Sequence, residues 1–226
     1  MTRLSSAVLV AAALFVLPAC GSGDGSTVTT VPPVTTTTPA PQIPANALFP
    51  APGVVYDTPD AAARAFVEEV MGVPARLSAF QGGDSLSGEI EIGVEGASED
   101  AVRGTILLRR AGPAAPWFII GVVNDHATIA SPEAGSTVPA GSITVTGVAR
   151  GFEGLVHVFA VLADSPGTIV AEARTQAGSM EESLPYSVEL DLSALSAGDR
   201  VILVVHGGVG LETDPGDTGA LGIIIA

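Results

Sequence analysis

From residue 127 to the C-terminus the chain is a succession of short apolar or alternating runs, broken about every ten residues by turn-forming clusters. The runs cover residues 127–131, 142–150, 155–163, 168–175, 184–192, 200–206 and 218–225. Between them stand Ser131-Pro-Glu-Ala-Gly-Ser136, Pro139-Ala-Gly141, Asp164-Ser-Pro-Gly167, Ala197-Gly-Asp199 and Thr213-Asp-Pro-Gly-Asp217. These clusters are built from proline, glycine and the short polar residues that favour turns, so each run must end there. Every run is too short for a helix. Seven strands within ~100 residues predict an all-β immunoglobulin-like sandwich over 127–226.

The pattern upstream is different. Thr58-Pro59-Asp60 supplies an N-cap, a proline at the first helical position and an acid in the first turn. Ala62, Phe66, Val67 and Val70 make one apolar stripe, and Gly72 with Pro74 stops the helix. After it the period falls to two: Ile90, Ile92 and Val94 alternate with Glu89, Glu91 and Glu95, which reads as a solvated strand face. Residues 102–110 and 116–124 are further strands, and Trp117 belongs in the core. A register with Ile90 opposite Leu108 and Ile92 opposite Ile106 would pair Glu89 with Arg109 and Glu95 with Arg103. The expectation for 54–126 is a small α+β domain, one helix on an antiparallel sheet.

The N-terminus reads as an address. Arg3 precedes an apolar run from Leu4 to Leu17, shorter than the ~20 residues needed to span a bilayer, and the run ends at Leu17-Pro18-Ala19-Cys20. This ending resembles a bacterial lipobox, which implies a signal peptide over residues 1–20, diacylation of Cys20 and anchoring at the extracytoplasmic face of the cell membrane. An ordinary secretory signal, with release of the protein, is the alternative. Residues 21–53, rich in Thr and Pro with four successive threonines from Thr35 to Thr38, predict a disordered stalk able to reach up to ~90 Å. Cys20 is the one cysteine in the chain, so the fold has no internal disulfide.

In the C-terminal part, Ile129-Ala-Ser-Pro132, Gly135-Ser-Thr-Val138, Val145-x-Gly147-x-Ala149 and Phe152-Glu153-Gly154 follow in order. Pro185-Tyr186 to Leu192 and Arg200 to Val205 continue the pattern. Together they resemble the immunoglobulin-like domain of bacterial spore-germination proteins, over about residues 127–226. The resemblance implies a sandwich module of secreted or lipid-anchored bacterial proteins and brings no catalytic residues with it. The Phe152-Glu153-Gly154 corner reads as structural: Phe152 folds over a sandwich edge and Glu153 accepts backbone N–H groups.

Twenty-four acidic residues against nine basic ones, all arginine, leave a net charge of −15, which argues against nucleic acid as a partner. His157 and His206 fall on runs that could be neighbours, yet no His-x-His spacing points to a metal site. Glu212, Asp214 and Asp217 crowd one loop and are weak calcium candidates, without the calcium-loop spacing. No nucleophile motif occurs. The expectation is a non-enzymatic envelope lipoprotein, without cofactor, whose stalk-mounted domains bind a protein or cell-wall component. The alternative is a small-ligand or enzymatic cleft in the 54–126 domain.

Overall fold

A computed structural model describes residues 46–94, 101–112, 115–179, 181–208 and 213–226. Cys20, the Thr/Pro segment to residue 45, Glu95 and Glu212 lie outside the described residues.

The described chain opens on a short strap. Leu48 and Phe49 are each 1% exposed, and their amides donate to the Ile119 carbonyl at 2.7 and 3.4 Å. The segment read as stalk up to residue 53 is therefore part of the fold from Ala47 on, because two large apolar side chains there have a core to enter. Helix α1 (Pro59–Glu69) forms as its sequence dictates: Thr58 Oγ1 accepts the Ala61 amide at 3.3 Å, and Ala62, Ala63, Phe66 and Val67 are buried. Gly72, at φ 70°, turns the chain away in the left-handed region that glycine enters without cost.

Strands β1 (Gln81–Gly82), β2 (Ser87–Ile92), β3 (Gly104–Arg110) and β4 (Trp117–Val123) make an antiparallel meander. Ile90 and Ile92 point inward, and Glu89 is exposed. Its register differs from the expected one: Ile90 faces Ile106, Glu89 faces Leu107 and Arg109 faces Ser87, so the Glu89–Arg109 pair is not formed. Backbone crowding decides this. A Cβ at Gly88 would overlap the Phe80 ring, and one at Gly104 would lie 2.8 Å from the Thr218 carbonyl. The observed register places Gly88 opposite Leu108 and Gly104 opposite Ile92, while every side chain keeps its expected face.

The sandwich strands are β5 (Thr137–Val138), β6 (Ser142–Ala149), β7 (Leu155–Leu162), β8 (Ile169–Gln176), β9 (Leu184–Asp191), β10 (Arg200–Gly207) and β11 (Thr218–Ile225). Residues 127–131, expected as a strand, instead touch β6 through two isolated bridges, Ala127–Ala149 and Ser131–Thr146. The large sheet runs β1-β2-β3-β4-β11-β10-β7-β8, with β5 parallel beside β11, and β6 with β9 forms the second sheet. The meander and the sandwich thus share one continuous sheet.

Two cores lie on its opposite faces. Val158, Leu203, Val205 and Ile223 meet Val145, Val188 and Leu190 of the small sheet. On the other face Phe159, Val161, Ile202 and Val204 join Phe66, Ile90, Ile106 and Ile119 beneath α1. Strand β10 is therefore buried on both sides, which explains why residues 201–205 are apolar without alternation. Arg200 ties the strap to this strand, donating to the carbonyls of Ala47 and Pro50 and to Asp164.

Candidate functional site: a groove on the open face of the meander

The helix–sheet interface, where the alternative reading would put a cleft, is filled by Ala62, Ala63, Phe66, Val67, Ile90, Ile106 and Ile119, all 0% exposed. The depression lies on the opposite face of the meander. Its cause is the way β11 divides one edge: Ala220 pairs with Val122 of β4, whereas Ile224 and Ile225 pair with β5. Strand β4 meets β11 at one residue pair and then diverges, opening a crease beside the connecting segment.

The crease encloses about 410 Å³. Leu107, Ile120, Val123, Ile129 and Leu221 give it apolar walls, with Thr128 and Asn124 as polar points. A second depression of about 350 Å³ shares Leu107 and Ile120 and continues past Gly83, Gly88 and Glu89. A third, of about 300 Å³, shares Val123, Asn124 and Asp125 and ends at Thr105 and His126. Together they form one groove across the sheet, apolar along its floor, with Glu89 near one end and Asp125 near the other. Val123, on the floor, is 50% exposed. What such a surface offers is apolar area and shape more than charge.

The other residues singled out in the sequence fall elsewhere. Asp214 receives Arg103 through two bonds, Nε to Oδ1 at 3.0 Å and Nη2 to Oδ2 at 2.9 Å, and also accepts the Gly216 amide. Asp217 receives Arg150 Nε at 2.6 Å and Asn124 Nδ2 at 3.4 Å. Both carboxylates are buried and spent on arginines, so this loop is a clasp that fastens the sandwich to β3 and β4. Among the described residues no group of three or more metal-ligating side chains comes together.

His157 and His206 do face each other across β7 and β10, with ring centroids 5.3 Å apart. His157 Nε2 lies 2.8 Å from Glu172, while His206 Nδ1 lies 2.8 Å from the Pro215 carbonyl. Burial, with His157 and Arg174 nearby, pushes the pKa of His206 down to about 4 against the opposing pull of that carbonyl. A neutral, tethered imidazole of this kind is a packing element.

The Phe152-Glu153-Gly154 corner is a single 3₁₀ turn, with Glu153 at φ 54° and Gly154 at φ 74°. Phe152 does not fold over the sandwich edge; it is 53% exposed. Glu153 is exposed too, and the corner is held by main chain: Phe152 N to Gly208 O at 2.8 Å and Ala177 N to Gly154 O at 2.8 Å. Backbone bonding already closes the turn, so the side chains are left outside.

Val145-x-Gly147-x-Ala149 has a clear steric role. A Cβ on Gly147 would collide with the Thr128 carbonyl, and Tyr186 Oη donates to that same oxygen at 3.0 Å. Burial raises the pKa of the Tyr186 phenol, which keeps it a donor. The signal missed in the sequence was the groove itself, which depends on β11 serving two neighbours.

The comparisons agree with this architecture. A family model, the immunoglobulin-like domain of bacterial spore germination, matches residues 126–207. Neither the search of curated proteins nor that of solved structures returned a match. The matched segment is shorter than the 127–226 expected, ending with β10, whereas β11 completes the sheet in this chain. The C-terminal part of the chain carries an immunoglobulin-like domain of the bacterial spore-germination family.

Proposed function

We propose that the protein is a non-enzymatic cell-envelope lipoprotein, anchored through Cys20, which holds a protein or cell-wall component in the groove of its meander. The observation that carries the binding role is the apolar crease of about 410 Å³, left open beside a core that is otherwise filled. Contiguous exposed apolar surface on a folded unit marks a place of contact. The lipobox-like ending at Cys20 supports the anchor. Among the described residues no helix is long and apolar enough to cross a membrane.

A photo-crosslinking residue placed at Ile120 or Val123 in intact cells should capture one envelope protein or wall fragment that the same residue at Arg64, on the exposed face of α1, does not. Identical adducts at all three positions, or turnover of a wall substrate by the protein, would refute the assignment. Labelled palmitate should enter the protein and be lost in Cys20→Ser.

The volume of the crease also favours a second occupant, a small apolar ligand, since ligand pockets occupy roughly 300–1,000 Å³. Native mass spectrometry separates the two, showing a retained small molecule in one case and none in the other.

A further inference from the structure

The large sheet ends differently at its two edges. At one end residues 76–83 run along β2: Gly93 donates to the Arg76 carbonyl, Ser78 to that of Glu91, and Gln81 faces Glu89. At the other end β8 pairs with β7 alone, and no backbone hydrogen bond is made along its outer edge among the described residues. Its bulge lies at Val170, close to one end, and its two charges are of opposite sign, so residues 171–176 stay regular and able to pair. It has eight residues, Ile-Val-Ala-Glu-Ala-Arg-Thr-Gln, without proline, and Ile169 at its start is 49% exposed. The edge strand of the small sheet, β9, is guarded by contrast: Pro185 removes a donor, and Glu189 and Asp191 add like charge.

We propose that β8 is a self-association edge, pairing antiparallel with β8 of a second copy about a two-fold axis through Ala173. An axis normal to the sheet keeps faces matched, so each residue meets one of the same face. Centred on Ala173, it sets Glu172 of each copy opposite Arg174 of the other, two attractive pairs on one face. Centring on Glu172 would oppose carboxylate to carboxylate, and centring on Arg174 would oppose guanidinium to guanidinium. Charge therefore selects one register.

The side chains are ready for it. Glu172 is held by His157 at 2.8 Å yet remains 56% exposed. Arg174 is exposed and has no ion-pair partner among the described residues. On the other face the positions brought together are the small residues Ala171, Ala173 and Thr175. The net charge of −15 opposes approach at long range, but at physiological salt it is screened beyond roughly 8 Å, whereas the facing pairs are in contact.

The test is disulfide trapping in intact cells producing the full chain with Ala173→Cys. Residues facing each other across an antiparallel pair have Cα atoms about 4.5–5.5 Å apart, within disulfide reach. Mild oxidation should give a dimer band that is absent from the parent chain, whose sole cysteine is Cys20, and absent from Ser187→Cys on β9. Adding Glu172→Arg or Arg174→Glu alone should lower the trapped fraction about tenfold, because both facing pairs turn repulsive together. Adding both should restore it, since the exchanged charges face each other again. Trapping no greater than with Ser187→Cys overturns the proposal. So does a double exchange that fails to recover while its melting temperature matches the parent's.

Discussion

Gly147 is the residue at which a single methyl group matters most. Its hydrogen stands where the Thr128 carbonyl and the Tyr186 ring close on β6. Gly147→Ala should cost about 2–3 kcal/mol by overpacking, read as a lowered urea midpoint with unchanged slope. The clasp behaves in the opposite sense, through loss of a partner. Arg150→Ala leaves Asp217 buried without its cation and should cost about 3 kcal/mol, whereas exposed Arg64→Ala, on a helix-surface pair, should cost under about 0.5 kcal/mol. His206 sets the pH dependence. Its pKa is near 4 in the fold and 6.5 unfolded, so the unfolded chain binds the extra proton between those values. Stability should therefore be full well above pH 6.5 and fall as pH drops towards 4, by on the order of 3 kcal/mol. His206→Gln should flatten that slope in denaturation curves measured across this range.

At the scale of elements the sequence was most legible where the rule is local. The N-cap, the proline start and the apolar stripe placed α1 correctly, and Thr58→Ala should cost about 1 kcal/mol in a thermal melt. The alternating runs likewise foretold β2 to β4 and β6 to β11, because side-chain period is written into each run by itself. Register was not legible. Charge pairing favoured Glu89 with Arg109, but the contacts that decide lie at Gly88 and Gly104, against Phe80 and Thr218, and neither neighbour is adjacent in sequence. The same limit hid the groove, since nothing within residues 218–225 announces that β11 is shared between β4 and β5. The acidic loop gave weak calcium candidates for a related reason: the counter-charges of Asp214 and Asp217, Arg103 and Arg150, are distant in sequence.

In the whole molecule the two segments that the sequence separates at residue 126 are joined by one sheet, one core and the strap at Leu48 and Phe49. Unfolding of the full chain should therefore be a single transition, with far- and near-ultraviolet dichroism superimposing; two resolved midpoints would contradict this. Residues 127–226 produced alone should bind a hydrophobic dye and aggregate, because Phe159, Val161, Ile202 and Val204 lose their cover. The double burial of β10 also bears on how this lineage can vary. A sandwich that travels between proteins as a self-contained cassette needs a wettable exterior. Here positions 159, 161, 202 and 204 have been given over to the neighbour. A sandwich with polar side chains at these four positions would bury them in a closed interior, so the sequence of each half constrains that of the other.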